Sequence, residues 1–291
     1  MSPVNWKGYN TEDDPARAGR FAAWKREKKY WITRCAPGMD QSRADLIHQA
    51  FEKSVIPGGN LPEPAFLRDG AAWFCAEEDC PSLLDGYGAK AFMGLRPAHR
   101  QRIVFSAANA LMTLHAAGLV HGSLQPASFR IQTAGDGSFR AILTDLFFAG
   151  PGRKESSISY PNGYRAPEVA SGVLDRGTDS YAFGACVYFW LTGELPRYGE
   201  NEQLVLPGSV PKAYHLFLSR LLRRDRKERP ELSETFHYAT GCRRTDRDRY
   251  LISAVDAEFA SRFQADAKLL EERAEKYDPA FTGRLKNTSD W

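Results

Sequence analysis

Side chains able to do chemistry crowd into one part of the chain. His121, Ser123, Gln125 and Ser128 fall within eight residues, in the stretch LVHGSLQPASF, and Asp145 follows in AILTDLFF. The hydroxyls of Ser123 and Ser128 are not bases near pH 7, and neither supplies the carbonyl or carboxylate oxygen that suits Mg²⁺. Asp145 can ligate a hard cation or cap and pair with its own surroundings. No G-x-G-x-x-G occurs before Arg34, and Gly58-Gly59 comes too late, so no cradle of free backbone amides for phosphate is signalled. The five cysteines are scattered, odd in number and without C-x-x-C pairing, which reads as free buried thiols rather than a metal or disulfide framework.

The elements that must position these residues follow from the apolar pattern. Residues 29–35 (KYWITRC) read as a strand, 43–55 as a helix after a Pro-Gly break, and 65–75 as a hairpin around Arg68-Asp69-Gly70. A long helix is expected over 97–117, with Ile103, Ala107, Leu111 and Leu114 on one face and Gly118 as its stop. Two short strands, 129–132 and 140–143, flank the turn AGDGS, and from Asp179 the chain reads as mainly helical. Residues 1–19, rich in Asp, Asn, Gly and Pro, read as a flexible or clamped arm without assigned structure.

In this frame, residues 111–131 (LMTLHAAGLVHGSLQPASFRI) resemble the catalytic-loop region of the protein kinase superfamily, H-R-D-L-x-x-x-N, with His121, Leu124 and Pro126 in place. Residues 140–150 (RAILTDLFFAG) resemble the D-F-G segment, and Tyr164, Arg165, Ala166, Pro167 and Glu168 carry the A-P-E motif intact. Residues 179–195 resemble the buried helix of the large lobe, and 224–232 (RDRKERPEL) the late arginine motif. These motifs in the right order are a specific signal. The resemblance implies an α+β, bilobal fold with a small strand-rich N-lobe and a larger, mainly helical C-lobe. It implies a framework in which Glu168 pairs with Arg229 and Asp179 accepts hydrogen bonds from the loop backbone.

By the same resemblance, the residues of phosphoryl transfer are altered. Ser123 stands for the aspartate base, Gly122 for its arginine, Gln125 for the phosphate-facing lysine and Ser128 for the metal-binding asparagine. Asp145 keeps the D-F-G aspartate and is the one candidate metal ligand, but Phe147 replaces the glycine. The strand YWITR aligned with V-A-I-K puts Arg34 at the lysine and Glu52 on the next helix as its partner. Arg34, Glu52 and Asp145 together would form a degenerate nucleotide pocket. A guanidinium is no conservative exchange for that ammonium. The expected function is therefore that of a pseudokinase, a protein-binding scaffold or allosteric regulator with no catalytic residues and no cofactor. The alternative is a nucleotide-dependent enzyme using ATP and Mg²⁺ in an atypical transfer.

With 291 residues, 43% hydrophobic and 26% charged, the chain can bury a full core, which excludes general disorder. The longest apolar run, 181–191, is too short to span a bilayer, and the polar N-terminus does not read as a signal peptide. The expected location is cytoplasmic. A formal charge of +3 does not by itself imply nucleic acid. The organisation reads as an arm 1–19, a small lobe 20–90, a helical lobe 91–250 and a C-terminal segment 251–291. A protein partner is expected, docking on the amphipathic helix 251–277, the loop 150–163, or the arginine-rich runs 220–227 and 243–249.

Overall fold

β-Branched and aromatic residues in RFAAWK and KKYWITR favour extended backbone, and the two segments form a hairpin. Arg20–Lys25 (β3) pairs antiparallel with Lys28–Arg34 (β4) through the two-residue turn Arg26-Glu27, where both φ angles are positive. That left-handed turn matches the strand twist and is normally filled by Asn or Gly. The computed structural model describes residues 5–6, 8–13, 20–35, 38–52, 65–79, 88–133, 139–154, 163–200 and 202–232. Within it, Asn5–Trp6 (β1), Tyr9–Asp13 (β2), Ala65–Asp69 (β5) and Ala72–Glu78 (β6) complete an antiparallel sheet in the order β1-β2-β3-β4-β6-β5. The helix Gln41–Glu52 (α1) lies between β4 and β5 in the chain and is N-capped by the Asp40 carboxylate, which accepts from the Arg43 amide at 2.8 Å.

At the N-terminus, residues 9–13, left without assigned structure by the sequence, form a strand that pairs with β3 from Asn10↔Trp24 to Asp13↔Phe21. Only Tyr9 and Thr11 are buried there, so the alternation is two residues long and hidden among Asn, Glu and Asp.

The large lobe is built on two helices. Pro97–Ala116 (α3) carries Ile103, Ala107, Leu111 and Leu114 fully buried, and Gly118 takes φ +80 just past its end. Arg176–Thr192 (α4) is buried nearly all round, as befits a helix at the centre of a domain. Asp175 and Thr178 form its capping box, and Gly193 ends it at φ +77. The helix Gly88–Gly94 (α2) brings Phe92 onto Trp190 with ring centroids 5.6 Å apart. The helix His215–Leu221 (α5) crosses α4 at Gly184, where an added Cβ would stand 2.9 Å from Leu221 Cβ.

Short strands frame the chemistry. Leu119–Val120 (β7) pairs with Gly150–Pro151 (β10), Phe129–Thr133 (β8) with Phe139–Leu143 (β9), and Arg153–Lys154 (β11) with Val173–Leu174 (β12). One core runs from α1 and the inner sheet face through α3 and α4, and a smaller one (Tyr9, Ala23, Ile32, Leu67, Ala76) covers the sheet's other face. A small antiparallel-sheet lobe followed by a helical lobe is the bilobal α+β architecture expected. Among the described residues, no helix is long and apolar enough to cross a membrane.

Candidate functional site

The floor of the interlobe cleft is the loop 121–128, hung from a buried carboxylate. Asp179, wholly buried on α4, accepts from the His121 amide at 2.7 Å, the Gly122 amide at 2.9 Å and His115 Nε2 at 2.9 Å. Gly122 takes φ +76, a conformation that favours glycine. The His121 ring is equally committed. Its Nδ1 accepts from the Ser123 amide at 3.3 Å, which leaves Nε2 to donate to the Thr144 carbonyl at 2.8 Å. Both ring nitrogens are used and the ring is fully buried. Ser123, His121 and Asp179 are therefore neighbours without being a hydrolytic triad, because Asp179 meets the backbone of His121 and not its ring.

Ser128 and Asp145 meet directly. The buried Ser128 hydroxyl donates to Asp145 Oδ2 at 3.0 Å, and the Ser128 carbonyl accepts from the Thr144 amide at 2.8 Å. Asp145 itself takes the left-handed conformation at φ +64. Residue 147 does not, so the glycine expected there is dispensable. Leu146, Phe147 and Phe148 form one turn of 3-10 helix, with Phe147 in the core and its ring tilted against that of Phe148, centroids 4.8 Å apart.

Glu77, Arg43 and Trp31, not anticipated from sequence, enter from the small lobe. Glu77 on β6 is buried, and its carboxylate accepts from the amides of Asp145 at 3.0 Å and Leu146 at 2.9 Å. Burial, and then the Asp145 charge, push its carboxyl up to about 7, against the pull of those amides and of Arg20. From α1, the Arg43 guanidinium donates to the carbonyls of Phe148 and Ala149 at the other end of the turn. The sequence signal for Glu77 is a carboxylate inside the otherwise apolar strand AWFCAEE, in phase with buried Cys75.

The roof departs from the sequence alignment by one residue. Thr33 pairs with Cys75 and Trp31 with Glu77, so these share the inner face, whereas Arg34 shares the face of Ile32 and is exposed. Thr33, not Arg34, occupies the inner position expected of the lysine. Glu52 is the last residue of α1, and its side chain lies outside the described residues. The structure thus does not bring Arg34 to Asp145. With Thr33 at the lysine position, Trp31 falls where V-A-I-K has a small alanine. Its Nε1 donates to Asp79 Oδ1 at 3.0 Å, with Arg20 Cζ 3.9 Å and Lys29 Nζ 4.4 Å from the ring centroid. Gln125 is half-buried on extended backbone.

Below the cleft, Arg229 pairs with Glu168 through both terminal nitrogens, and donates to the carbonyls of Gly177 at 2.8 Å and Arg223 at 3.0 Å. The basic run is largely self-satisfied: Arg223 pairs with Glu228, Arg224 with Glu202 and Arg226 with Asp175. Residues 155–162 of the candidate docking loop, residues 243–249 and the helix expected over 251–277 lie outside the described residues. Cys35, Cys75 and Cys186 are free and buried, with thiols raised by burial.

No family model matches the chain. Among curated proteins it aligns with the serine/threonine-protein kinase PkaA of Streptomyces coelicolor, 31% identical over 153 residues, covering 47% of this chain and 28% of that protein. It aligns with the serine/threonine-protein kinase ULK1 of Homo sapiens at 29% over 153 residues, 45% of this chain and 15% of that protein. With the serine/threonine-protein kinase pkn1 of Chlamydia caviae the identity is 26% over 194 residues, 59% of this chain and 31% of that protein. The chain spans less than a third of the length of these relatives. On a bilobal fold, the chain shows distant, partial homology to serine/threonine protein kinases, members of the protein kinase superfamily.

Proposed function

We propose that this chain is a pseudokinase, a cytoplasmic protein-binding scaffold or allosteric regulator without ordinary phosphotransfer. The observation that carries the reading is the Ser128 hydroxyl bound to Asp145, at the pair of positions where kinases hold Mg²⁺. A hydroxyl there offers a metal little, and it occupies part of the remaining carboxylate. Ser123 at the base position cannot take a substrate proton, and His121 beside it has no nitrogen to spare. Phosphoryl transfer depends on positioning and charge neutralisation, and these substitutions remove several contributions at once. Trp31 on the inner sheet face adds bulk and an internal hydrogen bond where an adenine ring would need space.

The partner would be another protein, met through the segment 150–163 or the residues 251–277 rather than through nucleotide chemistry. The test is thermal unfolding of the protein alone, with ATP, and with ATP and Mg²⁺. Ligand at 100 times its dissociation constant adds about 2.7 kcal/mol. The expected result is no shift in either case, and no labelled phosphate carried to a protein substrate. A Mg²⁺-dependent shift abolished by Asp145→Ala would replace this reading with the nucleotide-dependent transferase.

A further inference from the structure

The turn that follows Asp145 is gripped at both ends by the opposite lobe. At its start, two amides that the 3-10 turn leaves without internal partners, those of Asp145 and Leu146, point at the Glu77 carboxylate of β6. At its end, the carbonyls of Phe148 and Ala149 receive the forked guanidinium of Arg43 from α1. Donors and acceptors match at both ends, carboxyl oxygens facing amides and guanidinium N–H groups facing carbonyls. Both side chains are more than nine-tenths buried. The fit at Arg43 is close: a Cβ on Gly150 would come within 2.4 Å of Arg43 Nε, so residue 150 must lack a side chain for the guanidinium to reach its carbonyls. Asp40, capping α1, fixes the turn from which Arg43 projects.

We propose that Glu77 and Arg43 form a two-ended lock on residues 145–149 that holds the small lobe closed on the large lobe without nucleotide or metal. The lock ties α1 and the sheet to the start of the segment that continues through β10. The relative placement of α1, the sheet and residues 150–151 is then a built-in property of the chain. This goes beyond the reading above and does not depend on it, since a closed apo state is compatible with a cleft that binds nucleotide and with one that does not.

Two cysteines lie under the lock and a third serves as control. Cys35 and Cys75 are buried on the inner sheet face beside Glu77 and Arg43, whereas Cys186 is buried on α4 in the large lobe. The experiment is time-resolved labelling of the full chain, without nucleotide, by a small maleimide, with each site quantified by mass spectrometry. Arg43→Ala removes the guanidinium. Gly150→Ala displaces the guanidinium sterically while Arg43 is retained, and Glu77→Gln loosens the other end. In the wild-type protein all three thiols should label slowly. In each variant, Cys35 and Cys75 should label at least tenfold faster while Cys186 keeps its wild-type rate. Unchanged labelling of Cys35 and Cys75 in folded variants would overturn the proposal. So would a parallel rise at Cys186, which would make these residues supports of the whole fold instead of a lock between lobes.

Discussion

Removing Arg229 isolates the residue on which the base of the large lobe depends most. Its side chain is wholly buried and that of Glu168 is 13% exposed. Arg229→Ala deletes both hydrogen bonds to Glu168 and those to the carbonyls of Gly177 and Arg223. It also takes away the cation 4.9 Å from the Tyr181 ring centroid. What remains is a nearly buried carboxylate with no counter-charge, and breaking such a pair from one side costs about 3–5 kcal/mol. At 2–4 °C per kcal/mol for a domain of this size, the unfolding midpoint should fall by roughly 6–20 °C. Glu168→Ala leaves the guanidinium buried with only carbonyls for partners and should cost a similar amount. The double variant should be less destabilised than the sum of the two. Urea unfolding with a shared slope measures all three. Two single variants each costing under about 1 kcal/mol, or strictly additive effects, would show that the pair is screened by water and that the buried-charge argument fails.

The pH dependence of stability should carry Glu77. Its carboxyl holds a proton more tightly in the folded state, so the associated stability is full below about 4.5 and is lost as pH rises through about 7, a change of about 3 kcal/mol. Urea titrations between pH 5 and 8 should show Glu77→Gln flatter than wild type by most of that amount, and parallel curves would refute the assignment. Asp175→Ala removes the cap of α4 and the partner of Arg226, and should lower stability by about 1–2 kcal/mol in the same assay. Gly184→Ala presses on Leu221 and should cost about 1–3 kcal/mol. Gly208→Ala, with nothing within 4 Å, should leave the thermal midpoint unchanged.

The helices of the large lobe were legible because local signals sufficed. The 3.6-residue period of Ile103, Ala107, Leu111 and Leu114, with Gly118 behind it, marks α3 without reference to any other part of the chain. The small lobe was less so, since which face a strand residue takes depends on register with a neighbour, and a slip of one residue exchanges Arg34 for Thr33. Strand β2 stayed hidden because only Tyr9 and Thr11 are buried along it, among Asn, Glu and Asp. The Ser128–Asp145 contact follows from motif order, but Glu77 reaching residue 145 joins positions 68 apart, and no local pattern announces it. Phe147 misled for a related reason: the left-handed backbone sits at Asp145, so the aromatic ring is free to turn into the core.

The carboxylate of Asp179 has a use apart from architecture. The amide protons of His121 and Gly122 are bonded to an acceptor sealed inside α4's packing. Their exchange with solvent deuterium should therefore await unfolding of the large lobe as a whole, and report its free energy. Any molecule that prefers the native state slows that exchange in proportion to its occupancy, wherever it docks. These two amides thus make the chain its own binding sensor, able to rank candidate partners in a mixture of known composition without presuming an activity or a site.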